Sequence, residues 1–580
     1  MTQTASLVKS SQPTRPLSWL NSSWVKPLLS LALFPLVLSA GAAWSADRLT
    51  ISYGLLERSI SLKSLQTYAK EGKIAKDLRT YTQFLDEDQE AQLRRILQAR
   101  VKLSPVAVSQ FLYTDPGERL LDRLSQVVRT ESNLPGFYAL RSALILAAAD
   151  PQGLTPLNVL EYFPLPDVRI DLSRTLRILS DLEELIRETQ DAITLLETQS
   201  AQEASTQSTV PFTTLPDLRR LGSFLWQKFS FQLTDVNRDR TFPVDLYLPR
   251  NRNQTPVNAA PLVVISHGLG SERGTYAYLA RQLASYGFAV AVPEHPGSNA
   301  SQLQALISGS ASEVTNPQEF IDRPLDIKYL LDELSYRNQT DPRFANRMDF
   351  QRVGVIGQSL GAYTALALAG ATINFDQLNL DCGNPETFNL SLLLQCRARE
   401  LTQPLPNLKD DRVKAIIAIN PIGSSLIGAA DYASIQIPVM LMSSSADTVS
   451  PALMEQIIPF TWLTTPNKYL VLMNGGTHFS TLSVTDTSPD RLVRLPPQIV
   501  GPNPILAQTY VKSLSVAFFQ TYVASQPGYL PYLQAAYAQL ISNEKLPLTL
   551  IRSLTPDQVA QIVQNQPAQV PDPQSTSSRQ

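Results

Sequence analysis

Apolar positions along the chain fall into two regimes, a three-four spacing up to about residue 200 and short continuous runs after it. From Asp47 to about Ser200 the pattern predicts helices joined by short polar turns, a helical N-terminal region over 47–200. Asp86–Ala99 opens on acidic residues and closes near arginines, which suits the partial charges at the two ends of a helix. Ser173–Thr198 places Leu179, Leu182, Ile186, Ile193 and Leu196 on one stripe, interrupted by Thr189. That stripe is too short for a coiled coil, which needs about three to four heptads, and predicts a helix laying its apolar face on its own chain. The stretch 199–214 then loses periodicity and fills with Ser, Thr, Gln and Ala, which puts a linker at 201–220.

Past the linker, Phe229–Leu233 and Phe242–Leu248 alternate as strands around the polar turn Thr234–Arg240. Six continuous apolar runs follow, Pro261–Ile265, Phe288–Val292, Val353–Ile356, Val413–Ile419, Pro438–Met442 and Tyr469–Met473. Such runs fit strands buried on both faces. Thr275–Tyr286, Pro324–Tyr336 and Leu360–Ala369 read as helices between them, and Ile505–Ala524 as a last helix. Strand alternating with helix predicts an α/β fold over 221–525, a mostly parallel, doubly wound sheet. Thr372–Asp411 interrupts the rhythm as a lid-like insertion, and Thr481–Asn503 is proline-rich and irregular. The tail, 526–580, reads as helical and then disordered.

Composition narrows the chemistry. The chain has 580 residues, 43% hydrophobic and 17% charged, which is a globular balance longer than one ordinary domain. Its 49 basic and 51 acidic side chains leave a net charge of -2, with no electrostatic footprint for nucleic acid or for a polybasic grip on lipid. Two cysteines without a Cys-x-x-Cys pair and three scattered histidines give no metal site, and no cofactor is expected. Residues 1–43 read as a signal peptide: Lys9, Arg15 and Lys26, an apolar run from Pro27, then Ala40 and Ala42 as an Ala-x-Ala cleavage pattern. An uncleaved N-terminal anchor is the other reading, and either gives an exported protein, periplasmic, lumenal or extracellular.

Gly357-Gln358-Ser359-Leu360-Gly361 stands between a predicted strand and a predicted helix, the setting of a nucleophile elbow. A serine nucleophile needs a base, and in this arrangement the acid and then the histidine follow it in the chain. Only His478 follows Ser359, in the loop after the last predicted strand. Asp447 is the first acid after the preceding strand and is assigned to orient His478, with Asp431 and Asp486 as alternatives. An oxyanion would be held by the amides of Leu360 and of Leu269 in Ser266-His267-Gly268-Leu269-Gly270. His267 reads as an organiser of that loop, and His295 as part of the pocket wall.

Together these segments, with the stretch Tyr278–His295, resemble the platelet-activating-factor acetylhydrolase and dienelactone-hydrolase-like branch of the α/β hydrolases. The layout also resembles exported bacterial hydrolases with a helical N-terminal region of unknown function. The first resemblance implies a serine esterase without metal or organic cofactor, acting on short or modified acyl groups of lipids or other small esters. The expected partner is thus a lipid or small-molecule ester, with transient contact to a membrane surface left open. A thioesterase or amidase using the same triad, and a non-catalytic binding scaffold, are the alternatives. Cys382 and Cys396, both in the insertion, are expected to pair in an oxidising compartment, closing a loop of about 15 residues worth roughly 3 kcal/mol.

Overall fold

Two sheets order the chain. The computed structural model describes residues 46–53, 56–207, 211–383, 387, 389–483 and 497–564. The expected signal peptide, the acid Asp486 and the expected disorder of 567–580 lie outside the described residues.

The spacing predicts a wholly helical N-terminal region, but the structure corrects this. The region carries a four-stranded sheet of β1 (Arg48–Tyr53), β2 (Leu56–Ser61), β3 (Val128–Arg129) and β4 (Asp167–Asp171), in the order β2-β1-β4-β3. The strands are short, and β1 buries a threonine whose hydroxyl donates to Asp167 at 2.7 Å, so hydrophobic periodicity does not reveal them. The helix Glu87–Gln98 starts on a reciprocal cap, in which Asp86 accepts from the Gln89 amide and the Gln89 side chain accepts from the Asp86 amide. Helices α1 (Asp115–Val127) and α2 (Leu172–Thr206) complete the part of this region that matters for the site. Helix α2 runs for 35 residues and continues through 201–206, where the sequence predicts linker. Ala, Gln and Glu are good helix formers even without an apolar stripe. Near its end Glu203 accepts from the Arg552 and Ser553 amides at 3.0 and 3.2 Å, which ties the helix to the C-terminal segment.

The large sheet has nine strands. They are β5 (Leu225–Asp235), β6 (Arg240–Arg250), β7 (Ala260–Ser266), β8 (Ala289–Pro293), β9 (Met348–Gln358), β10 (Val413–Ile419), β11 (Val439–Ser444), β12 (Lys468–Met473) and β13 (Leu548–Ile551). Their order is β13-β12-β11-β10-β9-β7-β8-β6-β5, parallel from β8 to β12 and antiparallel at both edges. Strand β13 was not visible in the sequence: it is a four-residue antiparallel edge inside what reads as tail. Helices α3 (Ala277–Ser285), α4 (Glu319–Thr340), α5 (Leu360–Leu368), α6 (Leu390–Gln395) and α7 (Pro504–Tyr522) accompany the sheet. One core packs α4, α5 and the Ala192, Ile193 and Leu196 side chains of α2 against one face, and a second packs α3 and α7 on the other. Those α2 residues bury the end of the predicted stripe against the core of the nine-stranded sheet.

Helix α4 begins five residues before the predicted start at Pro324. Pro324 has no amide to give the Phe320 carbonyl, and that carbonyl instead accepts from the Tyr363 hydroxyl of α5 at 3.0 Å. A buried donor thus lets the helix run through its proline.

Candidate active site

Ser359 sits between β9 and α5 with φ 56° and ψ -119°, a backbone conformation that L-residues adopt only under constraint. The constraint is visible on both sides. A Cβ at Gly357 would lie 1.9 Å from the Gly361 carbonyl oxygen, and one at Gly361 would lie 2.2 Å from the Ser266 carbonyl oxygen. Both glycines are therefore required for the turn to close against β7. The Ser359 amide donates to the Ile419 carbonyl at 2.9 Å, and Ser266 and Ile419 pair with Gly357 and Gln358 in the sheet. The serine is held at the carboxyl ends of three adjacent parallel strands, where α/β sheets place their ligands.

His478 follows β12, and its Nδ1 lies 2.6 Å from Asp447 Oδ2, with both residues buried. The other carboxylate oxygen of Asp447 accepts from the Val449 and Ser450 amides at 2.8 and 2.7 Å. The acid is thus fixed from both ends. Asp431 instead accepts from Thr372 and Asn374 and from no histidine among the described residues. Two buried amides connect the histidine to the rest. Gln358, beside the serine, donates from Nε2 to the His478 carbonyl at 3.2 Å, and Asn420 donates from Nδ2 to the same carbonyl at 3.4 Å and to Ser444 Oγ at 3.2 Å. The Ala446 amide donates to the Gly476 carbonyl at 2.8 Å, joining the acid and histidine loops. Sequence reading missed Gln358 and Asn420. An amide that bonds backbone in the interior has no pattern to distinguish it from one on the surface.

The loop after β7 approaches the elbow closely: a Cβ at Gly268 would meet Gln358 Oε1 at 2.2 Å. Neither the Leu269 amide nor the Leu360 amide donates to a protein acceptor among the described residues. Both remain available to an oxygen at the serine. Behind this loop lies a buried charged network that the sequence did not reveal. His267 Nε2 accepts from the His295 amide at 3.0 Å and its Nδ1 donates to the Gly268 carbonyl at 2.8 Å. His295 accepts at Nε2 from the Ser266 hydroxyl and donates from Nδ1 to Asp326, both at 3.0 Å. Asp326 also accepts from Arg238 and Arg240, Arg240 pairs with Glu319, and Arg323 donates to the His267 carbonyl. The sequence predicts His295 in the pocket wall, but the structure buries it fully in this network instead. Asp326 and Ser266 satisfy both of its ring nitrogens inside.

Burial first, and then the Arg323 charge, pull the His267 and His295 imidazoles well below the usual histidine range. Both are neutral in the folded protein. Below about pH 6.5 the unfolded chain takes up protons on these histidines and the folded chain does not. Stability is therefore full above that pH and falls below it, by up to about 1.4 kcal/mol per pH unit for each histidine. Burial, against the opposing charges of Arg238 and Arg240, draws the Glu319, Asp322 and Asp326 carboxyls up, an effect of opposite sign that offsets part of this loss. Urea midpoints at pH 8 and pH 5.5 check this: a midpoint unchanged or higher at pH 5.5 would mean the imidazoles are protonated in the fold.

Described residues of the insertion Thr372–Asp411 bond to one another and to the core. Cys382 and Cys396 are joined in a disulfide, with Cα atoms 5.7 Å apart. Buried Glu455 accepts from Asn389, from Ser391 Oγ at 3.0 Å, from Gln395 Nε2 at 2.7 Å and from the Gly423 amide at 2.9 Å. Leu392 and Leu394 pack on the core, whereas Leu390 is 44% exposed. Among the described residues no cluster of His, Cys, Asp or Glu is arranged to hold a metal ion, and no helix is long and apolar enough to cross a membrane.

Comparison with known proteins divides along the same lines. The family model described as "Alpha/beta hydrolase of unknown function (DUF1400)" matches residues 45–171, the N-terminal region up to β4. The model described as "Platelet-activating factor acetylhydrolase, isoform II" matches residues 241–339, from β6 to the end of α4. That span holds the loop after β7 and most of the buried network, and stops before Ser359. The platelet-activating factor acetylhydrolase of Canis lupus familiaris is 45% identical over 56 residues, 10% of this chain and 13% of that relative's length.

Proposed function

Because the chain is an α/β hydrolase of the platelet-activating-factor acetylhydrolase branch, we propose that it cleaves carboxylic ester bonds, with Ser359 as nucleophile, His478 as base and Asp447 as the orienting acid. The observation that carries this reading is the 2.6 Å contact between His478 Nδ1 and Asp447 Oδ2, in a loop bonded to the residue beside Ser359. With Nδ1–H committed to Asp447, Nε2 is the nitrogen left to take a proton. Ser359 Oγ attacks the ester carbonyl as His478 accepts its proton. The carbonyl oxygen becomes an oxyanion that the Leu269 and Leu360 amides stabilise, and His478 returns the proton to the departing alcohol. Water, deprotonated by His478, then releases the acid from the acyl-enzyme. The disulfide in the insertion supports an exported chain, since such bonds persist in oxidising compartments.

The test compares turnover of p-nitrophenyl acetate, a thioester and an anilide of the same acyl group by the folded chain. The oxygen ester is expected to be preferred. Turnover of the anilide alone would make the protein an amidase, and the absence of turnover and of fluorophosphonate labelling would leave a scaffold.

A further inference from the structure

A cavity of about 730 Å³ lies between α1, α2, the start of α6 and the loop that carries Asp447. Its volume falls among those of small-molecule sites, roughly 300–1,000 Å³. Leu124 of α1, Leu182 and Ile186 of α2 and Leu390 of α6 converge on it, and Ala446 and Pro451 form its floor. Leu124, Ile186 and Leu390 are 41%, 59% and 44% exposed, so aliphatic surface that would otherwise be scattered is gathered in one place. The stripe read from the sequence thus divides: its C-terminal end is core, and its middle faces this cavity.

We propose that this cavity binds a long acyl chain, which gives the N-terminal region its role; the catalytic half of the proposal rests on the ester-hydrolase reading. The lining contains Leu, Ile, Val, Ala and Pro but no aromatic ring. Protein-binding surfaces rely on aromatic anchors, whereas a flexible alkyl chain needs only continuous aliphatic contact. Charge is scarce: the charged residues of the lining are Arg123, whose guanidinium donates to the Thr387 carbonyl, and Asp447, committed to His478. The cavity also adjoins the chemistry. Its floor is the acid loop, and Asn474, another lining residue that opens the histidine loop, donates to Glu197 of α2 at 3.3 Å. The same aliphatic chain could arrive as the acyl arm of an ester or as a free fatty acid.

The full chain is assayed with p-nitrophenyl acetate and p-nitrophenyl dodecanoate, and its Ser359→Ala variant is titrated with a fluorescent fatty acid. Ile186→Asp puts a charge into the cavity from an exposed position, and Leu390→Asp repeats this from the insertion should the first variant fail to fold. Both are expected to keep acetate turnover and to weaken fatty-acid binding by at least about tenfold. A matching loss of dodecanoate kcat/KM assigns the cavity to the ester's acyl arm; fatty-acid binding lost with the dodecanoate rate unchanged assigns it to the free acid. Fatty-acid binding and chain-length preference both unaffected by the two substitutions would overturn the proposal. Absence of acetate turnover in the native chain, with fatty-acid binding still sensitive to Ile186→Asp, would remove the hydrolase reading and leave the binding site standing.

Discussion

Ser359→Ala removes fluorophosphonate labelling and lowers ester turnover by about 10⁶-fold, the scale seen when a serine nucleophile acting with its base is deleted. The fold is expected to be unaffected. Alanine keeps the Cβ that the φ 56° turn already accommodates, and the Ser359 hydroxyl makes no hydrogen bond among the described residues that its loss would break. The urea midpoint therefore stays within about 0.5 kcal/mol of native, as for substitutions that break no buried interaction. Asp447→Asn gives a smaller loss, about 10⁴-fold, because its amide would face the protonated Nδ1 and favour the wrong tautomer. Combining Ser359→Ala with Asp447→Asn should add almost nothing, since residues acting as one unit are not additive. Turnover by Ser359→Ala within tenfold of native would show that the elbow is not the catalytic centre.

Much of the fold was legible because its strands are uniform inside. Val263, Val290 and Ile417 lie in runs buried on both faces, and buried parallel strands leave continuous apolar sequence. The turn at Ser359 and the candidate base His478 stand out in the sequence for a different reason: steric need fixes glycine at 357 and 361, and scarcity leaves one histidine after the serine. What stayed hidden depends on pairing across the chain. The β1–β4 sheet and β13 are strands of two to six residues whose partners, not their own patterns, make them strands. Glu319, Asp322 and Arg323 precede the helix that the sequence predicts from Pro324, yet they lie on α4, and Arg323 and Asp326 are fully buried. A charge pattern along α4 carries no mark of whether water or Arg240 meets it.

That network predicts the largest stability effect. Asp326→Ala is expected to cost about 3–5 kcal/mol, the range for breaking one partner out of a buried ionic group. Asp326 accepts from Arg238 Nη2 at 2.9 Å, from Arg240 Nε at 2.7 Å and from His295 Nδ1 at 3.0 Å, with no exposure to water. Arg323 raises the stakes. Burial already draws its guanidinium down to about 10, its Nε and Nη1 have no hydrogen-bond partner among the described residues, and Glu319 and Asp326 supply the compensating charge. Removing Asp326 leaves more positive charge than the interior can balance, and lets His295 turn away from the Ser266 hydroxyl. The loop carrying Leu269 then loses its brace, and a displacement of about 1 Å there costs roughly 10²-fold in rate. Asp326→Asn separates the two effects: it retains size and one acceptor while losing the charge. Its kcat should fall with KM nearly unchanged, because the brace serves the oxyanion and not ground-state binding. Should Asp326→Ala unfold at the native urea concentration, Arg238, Arg240 and Arg323 must be satisfied by Asp235, Asp322 and Glu319 alone, and the loop would owe its position to Gly268 and Gln358.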